Sequence, residues 1–125
     1  MRLPIVSSLL VALLITAGCS DSQSVKGAWD CRTTHPGGFI SNDIFDFSDK
    51  GTMTLDSDGV VMHGSYTQEG ATLTMRLVDV PIPDPSGKLA TQPQTLTATF
   101  TKKSAKQLEM DVSTGNQHHL SKCSR

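Results

Sequence analysis

Four histidines, His35, His63, His118 and His119, are the most chemically versatile side chains of this 125-residue chain. An imidazole can ligate a metal or carry a proton near neutral pH. His118 and His119 are adjacent, so on a strand they point to opposite faces and do not readily share one ion. Neither has a carboxylate or cysteine at ligand spacing. The four read as surface histidines, and no metal site is expected. Asp43 and Asp46 could form a carboxylate pair for acid–base work, but nothing beside them supports it, and two acids near a strand end are usually solvated. Asp56-Ser57-Asp58-Gly59 begins like a calcium loop and lacks the third acidic position and the distal glutamate. It reads as a hairpin turn. No Gly-x-Ser-x-Gly and no His-Glu-x-x-His occurs. The expectation is a protein that binds rather than catalyses, with no cofactor.

The chain opens MRLPIVSSLLVALLITAGCS. Arg2 supplies a positive start, Ile5 to Ile15 an apolar stretch broken only by Ser7 and Ser8, and Thr16, Ala17 and Gly18 a small-residue run. The apolar stretch is too short to cross about 30 Å of hydrocarbon, which makes residues 1–18 a secretion signal. Thr16-Ala17-Gly18-Cys19 resembles the lipobox of bacterial lipoproteins, where Leu more often stands in place of Thr16. The resemblance implies a diacylglycerol on the Cys19 thiol, cleavage just before it, and anchoring in a membrane by several acyl chains. Ser20 resembles the residue that follows the lipid cysteine in lipoproteins sorted to the outer membrane. The implied location is the cell envelope, lipid-anchored and facing the periplasm.

Assigning Cys19 to lipid leaves Cys31 and Cys123, an even number in an oxidising compartment. They are expected to form a disulfide closing a loop of about 90 residues, worth about 4 kcal/mol on the chain-entropy model. Lys and Arg number 11 against 12 Asp and Glu, and loss of Arg2 with the signal brings the formal charge to −2. That balance argues against nucleic acid or an acidic lipid surface as the main partner. Lys102, Lys103, Lys106, Lys122 and Arg125 gather late in the chain as a solvated face.

Residues 19–26 are polar and read as a lipidated, flexible tether. Residues 27–125 show period-two patterning broken by turn signals, with no helical period. Strands are expected over Ala28 to Arg32, Phe39 to Phe47, Thr52 to Leu55, Val60 to Gln68, Ala71 to Val78, Gln94 to Thr101, Gln107 to Val112 and Gln117 to Cys123. The alternation is cleanest in Leu96, Ala98 and Phe100 against Thr95, Thr97, Thr99 and Thr101. This all-β pattern predicts a small eight-stranded antiparallel meander barrel, its first and last strands tied by the disulfide. A two-sheet β-sandwich fits the same pattern.

One segment departs from the rhythm. Val80-Pro81-Ile82-Pro83-Asp84-Pro85, continuing to Pro93, reads as a proline-rich loop that exposes Val80 and Ile82 to a partner.

Gly27-Ala28-Trp29 resembles the Gly-x-Trp signature at the first strand of lipocalin-like barrels, and Gly64-Ser65-Tyr66 resembles a second short motif of that family. The resemblance implies that Trp29 plugs the closed end and that a basic residue late in the chain, Lys122 or Arg125, packs over it. The chain is shorter than a full lipocalin and carries no C-terminal helical pattern. Two functions follow as expectations. The first is a binding module for a periplasmic protein or envelope component, acting through the proline-rich loop or the open barrel end. Small disulfide-closed lipoprotein barrels that inhibit lysozyme share this general design, which implies an inhibitor or immunity protein as one form of it; their central motif is not evident here. The second is a carrier of a small apolar ligand, with Met53, Met62, Met75 and Met110 as an adaptable lining.

Overall fold

A computed structural model describes residues 24–125, so the signal segment, Cys19 and most of the tether lie outside the described residues. Eight strands follow in order: β1 (Gly27–Thr34), β2 (Ile40–Phe47), β3 (Thr52–Ser57), β4 (Val60–Glu69), β5 (Thr72–Ile82), β6 (Ala90–Ser104), β7 (Gln107–Thr114) and β8 (Gln117–Ser124). Each pairs antiparallel with the next, and β8 returns to pair with β1, closing a barrel. Closure leaves no strand edge unpaired, which sets the sandwich alternative aside. Cys31 and Cys123 stand directly opposite each other in the β1–β8 register and are disulfide-bonded, with Cα atoms 4.0 Å apart. The bond therefore staples the seam that closes the barrel.

The period-two pattern sorts side chains as the sequence predicts. Leu96, Ala98 and Phe100 of β6 are buried while the threonines between them are exposed, and Leu108, Met110 and Val112 of β7 are buried in the same way. An apolar interior with a polar outer wall is the reverse of a membrane-spanning barrel.

The two ends of the barrel differ. Both described termini and the turns at 48–51, 70–71 and 105–106 lie at one end; the connections at 35–39, 58–59, 83–89 and 115–116 lie at the other. The first end is plugged. Trp29 is fully buried, and its Nε1 donates to the Val25 carbonyl at 2.8 Å. The Arg125 guanidinium lies 4.0 Å from the centre of the indole ring. Its Nε donates to the Ala105 carbonyl at 2.9 Å and its Nη1 to the Lys26 carbonyl at 2.5 Å. Of the two basic candidates, Arg125 covers the tryptophan, and Lys122 is exposed on the outer wall. Gly27 has φ +107°, and a Cβ there would stand 3.0 Å from Arg125 Nη1. Only glycine meets both conditions without strain.

The packed domain begins earlier than the pattern indicates. Val25 is fully buried and the Lys102 ammonium donates to the Ser24 carbonyl at 3.2 Å, so the end of the expected tether is part of the barrel floor.

The proline-rich segment needs a larger correction. β5 runs on through Val80, Pro81 and Ile82, which pair with Gln92, Thr91 and Ala90 of β6. Val80 is half-buried against the core rather than exposed to a partner, and Ile82 is also partly covered. A β-bulge at Val78–Asp79 interrupts the register between Leu77 and Val80, and Pro93 sits opposite it. A bulge leaves the ladder locally unpaired, so the missing N–H of Pro93 costs nothing there. The true connection is residues 83–89, with Pro83 and Pro85 exposed and Leu89 98% exposed.

Candidate functional site

The unplugged end holds a pocket of about 230 Å³. Its floor is Phe45, Leu55, Met62, Leu77, Leu96 and Val112, the inward residues of five strands, β2 to β6, and of β7. Above that floor the lining turns polar: Thr33 at the end of β1 and His35 just after it, Asp43 on β2, Ser57 at the end of β3, Thr114 on β7, and His119 and Ser121 on β8. A larger depression, about 480 Å³, lies on the outer wall between residues such as Arg32, Lys103, Glu109 and Lys122. Those side chains point to solvent and carry both signs of charge. The barrel-end pocket is the better candidate, because it joins apolar walls to convergent polar groups inside the barrel.

The polar groups form one connected chain. Ser57 Oγ donates to Asp43 Oδ1 at 2.7 Å, and Ser41 Oγ donates to the same oxygen at 3.0 Å. His35 Nε2 lies 2.6 Å from Ser41 Oγ, His35 Nδ1 lies 2.7 Å from His119 Nδ1, and His119 Nε2 lies 2.9 Å from Thr114 Oγ1. Thr33 and Ser121 close a separate hydroxyl pair at 2.7 Å across the β1–β8 seam.

With Asp43 ionised and both rings neutral, the inventory of donors and acceptors sets the direction of each bond in this chain. A carboxylate only accepts, so Ser41 gives its proton to Asp43 and must receive one from His35 Nε2–H. A neutral His35 then has a bare Nδ1, which accepts from His119 Nδ1–H. His119 Nε2 is left to accept from the Thr114 hydroxyl. All of these protons point toward Asp43.

This arrangement differs from an activated serine. A nucleophilic serine donates to its histidine, with the acid on the histidine's other nitrogen. Here the acid holds the serine directly, and the other nitrogen of His35 meets a second histidine.

Burial together with the neighbouring His35 holds the His119 imidazole below its ordinary pKa, with Asp43 and Asp111 opposing in part. Asp43 is 5% exposed. Its Oδ1 takes both hydroxyl protons, and its Oδ2 has no hydrogen-bond partner among the described residues. Among the described residues, no lysine or arginine lines the pocket.

The remaining sequence candidates fall elsewhere. His63 and His118 are exposed and bonded to Asp79 and Asp111 at 2.8 and 2.9 Å. The surface reading thus holds for these two, and His35 and His119 depart from it. Asp46 is exposed on the outer wall, three residues along β2 from the inward Asp43, so the two do not form a pair. Asp56-Ser57-Asp58-Gly59 is a hairpin turn with φ of 49° and 91° at Asp58 and Gly59, its carboxylates accepting from the Gly59 and Asn42 amides. Met53, Met75 and Met110 are packed in the filled part of the barrel, and Met62 is the methionine that reaches the pocket. Among the described residues, no three His, Cys, Asp or Glu side chains are grouped to hold a metal.

Sequence reasoning passed over the mouth network, although its signal is present. Ser41, Asp43, Phe45 and Phe47 share the inward face of β2, so an acid and a hydroxyl stand where the period demands apolar side chains.

No family model matches the chain, and no curated protein or solved structure is significantly similar to it.

Proposed function

We propose that the chain is an outer-membrane lipoprotein, anchored through Cys19 and facing the periplasm, whose barrel binds a small molecule at its open end and does not catalyse. The observation that carries this reading is the pocket itself, an apolar floor beneath a preorganised polar collar. Its size narrows the ligand. A cavity of about 150 Å³ accepts benzene, so about 230 Å³ suits one ring or a short branched chain and does not enclose a long acyl chain. The described chain starts at the plugged end, so a lipid on Cys19 would leave the mouth directed away from the membrane.

Native mass spectrometry of the Cys19→Ser chain, expressed with its N-terminal segment and collected from the periplasm, tests the reading. A small retained mass that disappears in Met62→Trp, where the indole fills the pocket, is the expected result. Bare protein masses for both chains would overturn it.

A second reading rests on Phe39 and Leu89. They are 64% and 98% exposed on the two mouth connections at 35–39 and 83–89, and exposed apolar side chains beside a pocket also suit docking of a periplasmic protein or envelope component. Replacing residues 83–89 with Gly and Ser separates the readings: it abolishes capture of a protein partner and spares a small ligand held by the pocket.

A further inference from the structure

We infer that the ligand of the open end is a small organic cation, a protonated amine carried on one ring or a short branched apolar body. The inference rests on the small-molecule reading of the pocket and adds the charge of its occupant. Asp43 is the observation behind it. A carboxylate removed from water needs a cation or several strong donors, or its burial is costly. Asp43 is 5% exposed, and the chain supplies it with two hydroxyl donors, both on Oδ1. Among the described residues the second oxygen has no hydrogen-bond partner; it opens on the pocket, which no described lysine or arginine lines. Two imidazoles complete the surroundings, His35 within hydrogen-bond distance of Ser41 and of His119.

An ammonium group fits that vacancy in three respects. It carries the missing charge, and it donates to Oδ2. Its remaining protons find acceptors in the collar, where Gln94 and the hydroxyls of Ser57 and Ser121 line the same cavity. The six apolar residues below would hold the body. An anionic ligand meets a buried carboxylate with no cation to offset it. A neutral one offers Oδ2 at most an uncharged hydrogen bond, weaker than the charge-assisted bond of an ammonium.

The test titrates the Cys19→Ser chain, expressed with its N-terminal segment, with benzylamine, benzyl alcohol and phenylacetate at slightly alkaline pH. Backbone amide shifts and calorimetry report binding. Benzylamine is expected to bind about ten- to a hundredfold more tightly than benzyl alcohol, as a charge-assisted bond to a desolvated acid requires. Phenylacetate is expected to leave the pocket amides unmoved. In Asp43→Asn, which keeps the shape and an acceptor, the preference for the amine is expected to vanish. Equal binding of amine and alcohol by the unsubstituted Asp43 chain would overturn the cation assignment and leave the pocket reading standing. That comparison needs no folded variant. A preference that survives Asp43→Asn would overturn it as well. If no probe moves an amide of the pocket, both readings fall.

Discussion

His35 and His119 meet Nδ1 to Nδ1, 2.7 Å apart, across the seam where the first and last strands of the barrel join. One proton fits between two such nitrogens. A second puts N–H against N–H, so the contact holds only while at least one ring is neutral.

Stability should therefore fall on mild acidification. His119 has its pKa lowered in the folded barrel by burial and by His35, with His118 adding to the effect and Asp43 and Asp111 opposing it. The unfolded chain takes up this proton at the ordinary imidazole pKa of about 6.5, before the folded chain does. The contribution is whole above that value, declines as pH drops through it, and levels off below the folded pKa. Thermal midpoints of the native chain and of His119→Gln, followed from about pH 8 to about pH 5, should diverge at the alkaline end and converge in acid. Parallel curves would show that this pair is not the titrating element.

The seam bond makes a separate contribution. Cys31 and Cys123 are 92 residues apart, and releasing a loop of that length frees about 4–5 kcal/mol of chain entropy in the unfolded state. The double substitution Cys31→Ser, Cys123→Ser should lose most of that amount in urea unfolding, with a steeper transition because the released unfolded chain is less compact.

At the plugged end, Arg125→Ala removes the cover of Trp29 and two bonds to backbone carbonyls. A loss of about 1–2 kcal/mol is expected. Arg125→Lys should recover only part of it, since an ammonium cannot present the same flat fork. Chemical denaturation of the three chains measures both steps.

Gly64 should tolerate no side chain. A Cβ at this position would stand 2.1 Å from the Arg76 carbonyl oxygen on the neighbouring strand. The clash is with backbone, so Gly64→Ala must push β4 and β5 apart, at about 3 kcal/mol or more. Soluble yield and thermal midpoint report the loss; a midpoint within a degree or two of the native chain would contradict it.

The wall of the barrel was legible in the sequence, and its mouth was not. Alternation in Leu96-Thr97-Ala98-Thr99-Phe100 leaves a strand no second choice of face, and eight such runs with short turns predict a meander. Gly27 and Trp29 were legible because a motif marks them, and Arg125 as one of two late basic residues, with Lys122, that the resemblance placed over Trp29. Pro81 and Pro93 misled, because proline breaks an interior ladder and only the three-dimensional register reveals a bulge at Val78–Asp79 that excuses one of them. The histidine pair was hidden for a different reason. His35 and His119 lie 84 residues apart and become neighbours only when the barrel closes. Asp43 was within reach of the pattern, since it holds an inward position on β2 that a solvated acid would avoid.

Whether the open end is a binding site is decided by an amide-resolved titration with benzylamine. Shifts are expected at Asp43, Ser57, Leu77, Gln94 and His119, with Trp29 and the outer groove at Arg32 and Lys122 silent. Shifts centred on the outer groove, or none anywhere, would contradict binding at the open end.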